Sequence, residues 1–341
     1  MPVTDVPQTV LALDVGGTKL AAGVVRSDGS VLSRLAEPAR TEDGPQGMIR
    51  RHLALGRLAI AHAGVREDGI DAVGIACGGP LDPFRGIVQA PLHLPGWIDV
   101  PLVDIVERAM GVPAAVDNDA TAGAIAEWRF GAGRDRGVRD LVYLTISTGI
   151  GGGVIADGRV IRGANGNAAE LGHLTIDWQG DPCPCGRRGC LETYASGTNI
   201  ARRAREALAA SDEESSLRAI GPAALTARDV AEAAAAGDPL GSRVWDETTG
   251  MLGSAVANIL DTFNPELVVL GGGVTNAGSQ LLDPVRAKGL AQAMGPAREA
   301  ADVVLATLGE DLGVVAAASV AFDRFLWARE AAPGDGTLAH A

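Results

Sequence analysis

One histidine and three cysteines crowd into 18 residues of this sequence: His173, Cys183, Cys185 and Cys190. Their types and spacing suit a closed tetrahedral zinc site, with Gly186 and Gly189 permitting the tight turns that bring three sulfurs to one ion. Three cysteines cannot pair evenly, and a reducing compartment disfavours disulfides, so Zn2+ is the stronger of the two readings. Glu170 and Glu192 flank the four ligands, so a bound ion would hold two carboxylates at fixed places. Cys77 stands apart, as do His52, His62, His93 and His340, which read as solvated side chains sooner than as ligands.

A second group is Asp14, Gly16, Gly17, Thr18 and Lys19. A carboxylate reaches a turn whose glycines let backbone N–H groups approach an anion, and Asp14 can hold Mg2+ directly or through water. No Gly-Lys-Ser/Thr follows, and a strand rather than a helix comes next, so this is neither a Walker loop nor a dinucleotide fingerprint. A plain hairpin with a surface Asp is the alternative. Residues 147–153 hold four glycines beside Ser147 and Thr148, Gly149 first among them. Glycine weakens a strand, and close passage of a ligand accounts for the excess. Facing the first turn, this one would clamp a polyphosphate. Gly271, Gly272 and Gly273 end an apolar run, where α/β sheets bind ligands. Asp117, Asn118 and Asp119 lie between a strand and a helix. A carboxylate there can take a proton from a substrate hydroxyl while Asn118 orients it, though Asn and Asp are also favoured helix caps.

These groups need a scaffold to place them. Apolar runs joined by tight turns predict strands at 10–14, 20–26 and 31–36, forming a meander. Helical spacing follows at 46–63, a strand at 71–77, a helix at 101–110, a strand at 114–116 and a helix at 120–130. A second strand, glycine turn and strand begin at 141. Its likeness to residues 11–25, about 130 residues earlier, suggests two related lobes. Helices are expected at 198–210, 226–236, 239–263 and 312–327, with strands at 267–270 and 303–305. Thr226 and Asp229 resemble a capping box.

The 341 residues exceed the roughly 250–300 at which single cores give way to domains. The net charge of −13 repels phosphate backbones and argues against a nucleic-acid partner. No apolar run reaches the ~18 residues of a membrane span, and residues 1–9 lack the pattern of a signal peptide, so a cytoplasmic protein with no membrane partner is expected.

Together these residues resemble the ROK family of sugar kinases and sugar-responsive repressors, over about residues 10–329. Asp14 to Lys19 resembles its first phosphate motif, 147–153 its second, and Gly271 to Gly273 its adenosine motif. Glu170 with His173, and Cys183, Cys185, Cys190 with Glu192, resemble its two signature segments. The resemblance implies an α/β, actin-like ATPase (hexokinase/ribonuclease H-like) fold, with two lobes of mixed sheets around a cleft. A small lobe would span 1–118, completed by a C-terminal helix at about 312–330. A larger lobe at 119–311 would carry the zinc segment, and 331–341 would be a disordered tail.

The same resemblance implies a hexose held by Asn118, Asp119, Glu170, His173 and Glu192, with Asp119 as the base. ATP would lie against Gly16, Gly17, Thr18, Lys19, Thr148, Gly149 and Gly271 to Gly273, with Mg2+ near Asp14, and the Zn2+ would be structural. The expected reaction converts glucose to glucose 6-phosphate in a homodimer or homotetramer. Mannose, fructose, N-acetylmannosamine and N-acetylglucosamine stay open as substrates. Many family kinases carry an Asn ahead of Pro-Gly-Trp; here His93 and Leu94 precede Pro95, Gly96 and Trp97, and His93 is either a substitute for that Asn or a surface residue. Repressors of the family carry a helix-turn-helix before the first phosphate motif, and only nine residues precede Val10, which favours the kinase. A sugar sensor without catalysis is disfavoured by Asp14 and Asp119.

Overall fold

The structure, a computed structural model, describes residues 8–91 and 93–327. The expected tail at 331–341 lies outside the described residues. Contacts divide the chain into two compact units: Met1–Ala126 with Gly163–Asn167 and Gly309–Ala341, and Glu127–Arg162 with Ala168–Leu308. The sequence reading divides the chain before Asp119. The contacts divide it within a helix, because the small residues Ala120, Ala122, Ala124 and Ala126 bury the first turns of that helix in the first unit.

In the first unit, β1 (Thr9–Val15), β2 (Lys19–Arg26) and β3 (Val31–Pro38) form the expected meander. Helix α1 (Gly44–His62) follows, then β4 (Ala72–Cys77), a short hairpin of β5 (Leu81–Asp82) and β6 (Ile87–Val88), α2 (Leu102–Met110), β7 (Ala114–Asn118) and α3 (Asp119–Arg129). The sheet order is β3-β2-β1-β4-β7, with β1 antiparallel to β2 and parallel to β4. Alternation along β1 sends Leu11 and Leu13 into the core beneath α1, where they approach Gly56. Asp14 therefore points to the opposite face of the sheet.

In the second unit the same order recurs. Strands β8 (Leu141–Ile146), β9 (Ile150–Ala156) and β10 (Arg159–Val160) come first, and the sheet runs β10-β9-β8-β11-β12 with β11 (Leu267–Gly271) and β12 (Asp302–Leu305). Between them lie α4 (Glu192–Ala195), α5 (Gly197–Ala210), α6 (Ala227–Ala235), α7 (Pro239–Phe263), α8 (Ser279–Gln292) and α9 (Gly295–Ala300). The capping box is present: Asp229 N–H donates to Thr226 Oγ1, and Thr226 N–H donates to Asp229 Oδ2. Helix α8 was not expected from the sequence, because Pro284 sits inside it.

Helix α10 (Leu312–Ala321) belongs to the first unit and covers the face to which Asp14 points. All its residues from Val314 to Ala321 are buried, as an all-round apolar helix requires. The single helix expected to 327 instead changes to a π-helical turn at Phe322–Trp327.

Candidate active site

In the first unit, two acids share a small region. Asp14 keeps some exposed surface, yet its carboxyl group is enclosed, and burial lifts it to about 6. The charge of Asp119 adds to that rise and Lys19 opposes it. The turn after Asp14 closes with Gly16 N–H donating to Lys19 O, 3.1 Å. His93 packs against this turn: a Cβ on Gly17 would lie 2.6 Å from its carbonyl oxygen.

The three acidic-cluster residues separate in role. Asp117 is buried, and its Oδ1 accepts from Asn118 N–H at 2.9 Å. Asn118 Oδ1 accepts from the N–H groups of Ala120 and Thr121, at 2.9 and 3.3 Å, so it caps α3. Asp119 opens to solvent within a dense shell of protein. Burial raises its carboxyl above the usual carboxylate range, against the pull of the Ala120 N–H and of His93. Both acids, with burial as the larger cause, push the thiol of Cys77 upward. An accessible carboxylate with a raised pKa at a helix start is suited to accepting a proton.

The second unit brings the remaining candidates together. Cys183 Sγ lies 3.7 Å from His173 Nδ1, Cys185 Sγ lies 3.6 Å from Cys190 Sγ, and all four ligand atoms fall within 4.8 Å of one another. Zinc–sulfur bonds of about 2.3 Å give tetrahedral edges of about 3.8 Å, so the cluster has the dimensions of a His/Cys3 zinc site. The four cysteines are free thiols. Glu192, two residues past Cys190, accepts a 2.8 Å hydrogen bond from Ile150 N–H at the second glycine turn.

Beside that turn is a cavity of about 920 Å3, lined among others by Thr148, Thr198, Trp245, Gly273, Asn276 and Gln280. Of the three glycines after β11, Gly273 lines this cavity. Gly271 and Gly272 instead back onto β8, where a Cβ would lie 2.5 Å from Tyr143 Oη and from Ile146 O respectively.

The ROK family model matches residues 10–324. The chain belongs to the ROK family. A glucokinase of Halalkalibacterium halodurans is 37% identical over 309 residues, 89% of this chain and 92% of that protein. The ROK hexokinase of Thermus thermophilus has a TM-score of 0.77 at 35% identity, covering 95% of this chain and all of that one. A ROK family glucokinase from Streptomyces griseus, solved in complex with glucose and AMPPNP, has a TM-score of 0.76 at 34% identity, covering 91% and 98%. The fold of this ROK protein is the actin-like ATPase type implied by its sequence.

Two further residues carry no local sequence signal. Asn167 accepts from Leu81 N–H with its Oδ1 and donates to Leu81 O with its Nδ2, at 3.3 and 3.1 Å, which fixes the turn next to Asn118. Glu127 is buried, and its carboxylate accepts from backbone donors. Among the described residues, no helix is long and apolar enough to cross a membrane.

Proposed function

We propose that this ROK protein transfers the γ-phosphoryl group of ATP to a hexose hydroxyl, with glucose as the preferred acceptor and glucose 6-phosphate as product. The observation that carries this reading is the match, over 91% of this chain and 98% of the other, to a glucokinase solved with glucose and AMPPNP. Asp119 takes the proton of the attacking hydroxyl, and its raised pKa makes it a stronger base than an ordinary carboxylate. Asn118 spends its Oδ1 on α3, which leaves its Nδ2 to orient the sugar. Glu170, His173 and Glu192 bind the other hydroxyls, and His93 takes the place of the Asn common in the family.

Gly16, Gly17, Thr18, Lys19, Thr148 and Gly149 receive the phosphates. The nucleoside enters the cavity beside Gly273, and Gly271 and Gly272 bring the end of β11 to it while packing against β8. Asp14 holds Mg2+, which when bound offsets charge on the phosphates. His173 Nδ1 and the sulfurs of Cys183, Cys185 and Cys190 hold a structural Zn2+, leaving His173 Nε2 for a sugar hydroxyl. The reading includes a cytoplasmic location and a homodimer or homotetramer, which light scattering tests. It also keeps the two lobes, a small one at 1–118 completed by the helix at about 312–330 and a larger one at 119–311.

A coupled assay over a panel of hexoses and N-acetylhexosamines, with ATP and Mg2+, tests the reaction. Glucose should give the highest kcat/KM. Preference for another sugar moves the substrate, and absence of transfer to every sugar overturns the reading.

A further inference from the structure

Glu127 is 0% exposed, and nothing in the reaction above uses its carboxylate. Its Oε2 accepts from Ala132 N–H at 2.9 Å. Thr307 N–H lies 3.1 Å from both oxygens, Leu308 N–H lies 3.1 Å from Oε1, and Thr307 Oγ1 lies 3.4 Å from Oε2. Three backbone donors and a hydroxyl therefore converge on one carboxylate. Gly131 makes the room, since a Cβ there would lie 2.1 Å from Oε2.

The position of this group in the chain is what gives it a consequence. The chain first enters the second unit between Ala126 and Glu127 and, after a brief excursion at Gly163–Asn167, leaves it for the last time between Leu308 and Gly309. The carboxylate thus grips the last two residues before the final exit, from the first residue after the first entry. Helix α3 runs unbroken from Asp119 to Glu127, about 12 Å at 1.5 Å per residue. On the other side, the chain beyond Leu308 reaches α10, where a Cβ on Gly313 would lie 2.6 Å from Asp14 Oδ2. One segment leads to the proposed base and the other to the helix packed on the proposed magnesium ligand.

We propose that Glu127 is a positioning residue for the phosphoryl transfer: by tying α3 to the segment that leads into α10, it holds Asp119 and Asp14 in register. The inference rests on the reaction proposed above. Reaction geometry tolerates little drift, and a misplacement of about 1 Å can cost ~10²-fold in rate. Loosening this tie should therefore act on turnover sooner than on binding.

Two variants test it. Glu127→Gln keeps the shape but turns an NH2 group towards backbone donors. Gly131→Ala keeps Glu127 and pushes its carboxylate aside, the methyl meeting Oε2 and Cδ of that side chain and lying 3.0 Å from its Cα. In both, kcat should fall about 10-fold or more while KM for hexose and ATP moves less than about 3-fold. Amide exchange at Thr307 and Leu308 should quicken in both. Unchanged kcat per folded molecule, with those two amides deprotected, overturns the proposal. So does a loss of kcat matched by an equal loss of folded protein. If Glu127→Gln does not fold, Gly131→Ala decides alone. Failure of the reaction itself shows separately, as a wild-type protein inactive on every sugar.

Discussion

The carboxylate of Glu192 accepts its hydrogen bond from Ile150 N–H, 42 residues away in sequence. A Cβ on Gly149 would lie 2.6 Å from the same oxygen, so the second glycine turn is moulded to this side chain. Cys190 stands two residues earlier and is fully buried. The sulfur cluster, a carboxylate and a glycine turn are thus one continuous piece of the second unit. Read along the sequence, the metal segment and the glycine turns look independent; the hydrogen bond makes them dependent.

Zinc removal should therefore reach further than the sugar. Cys185 is exposed, so Cys185→Ser leaves the core intact while removing one of four ligands. Elemental analysis should find the variant depleted of Zn2+, and KM should rise for both hexose and ATP by about 10-fold or more. A zinc-free variant with normal KM for both would show the cluster to be incidental.

Asp119 and Asp117 are two residues apart and should fail in different ways. Asp119→Asn should cut kcat by at least ~10²-fold with a smaller change in hexose KM, because only the proton acceptor is lost. Asp117→Asn should lower Tm, since Asp117 is buried and holds the Asn118 N–H. The pH dependence carries a sign. A base must be deprotonated to act, and burial raises Asp119, so kcat should decline on the acid side at a pH above the ordinary carboxylate range. Full turnover of Asp119→Asn would show that another group accepts the proton.

Much of this arrangement was legible in the sequence, and the exceptions share a cause. The meander, the repeated strand–turn–strand and the His/Cys3 spacing are local patterns, and each element they predict is present. Helix α8 was hidden because Pro284 interrupts its pattern and its buried residues are few: Leu281, Val285 and Gly289. Glu127 and Asn167 were hidden because their partners lie 180 and 86 residues away in sequence. Spacing reveals a site whose ligands are near in sequence; of the donors to Glu127 only Ala132 is near, and Thr307 and Leu308 are not.

His52 gives a test of stability against pH. It is buried beneath the first sheet, with Nε2 donating to Ala21 O at 2.8 Å, and burial lowers its pKa from 6.5 to about 4. The folded state holds it neutral, so below pH 6.5 the unfolded chain takes up a proton that the folded chain refuses. Stability should fall as pH drops from 6.5 to about 4, by up to roughly 3 kcal/mol from this residue. Asp14, raised to about 6, works in the opposite direction, because its folded form binds a proton first as pH falls. The comparison that isolates His52 is wild type against His52→Gln in urea unfolding at pH 7 and pH 5. An equal loss of stability in both proteins would assign the acid sensitivity elsewhere.

Ala169 precedes Glu170 and has φ +65°, a left-handed conformation that glycine accepts freely and alanine does not. The conformation is held from both sides. Leu171 N–H donates to Ala169 O at 2.6 Å, and that carbonyl packs where a Cβ on Gly152 would lie 2.6 Å from it. Left-handed alanine costs about 1–2 kcal/mol, and glycine returns about 0.5–1 kcal/mol of that through the freedom it adds to the unfolded chain. Ala169→Gly should therefore leave Tm unchanged or slightly raised. Ala169→Val, with a branched side chain at the same φ, should be destabilised by about 2 kcal/mol or more. The functional reading separates from the stability reading at Glu170: a glycine beside it loosens its backbone, so hexose KM should rise several-fold while ATP KM holds. A marked drop in Tm for Ala169→Gly would mean that the methyl group contributes packing that outweighs the backbone strain.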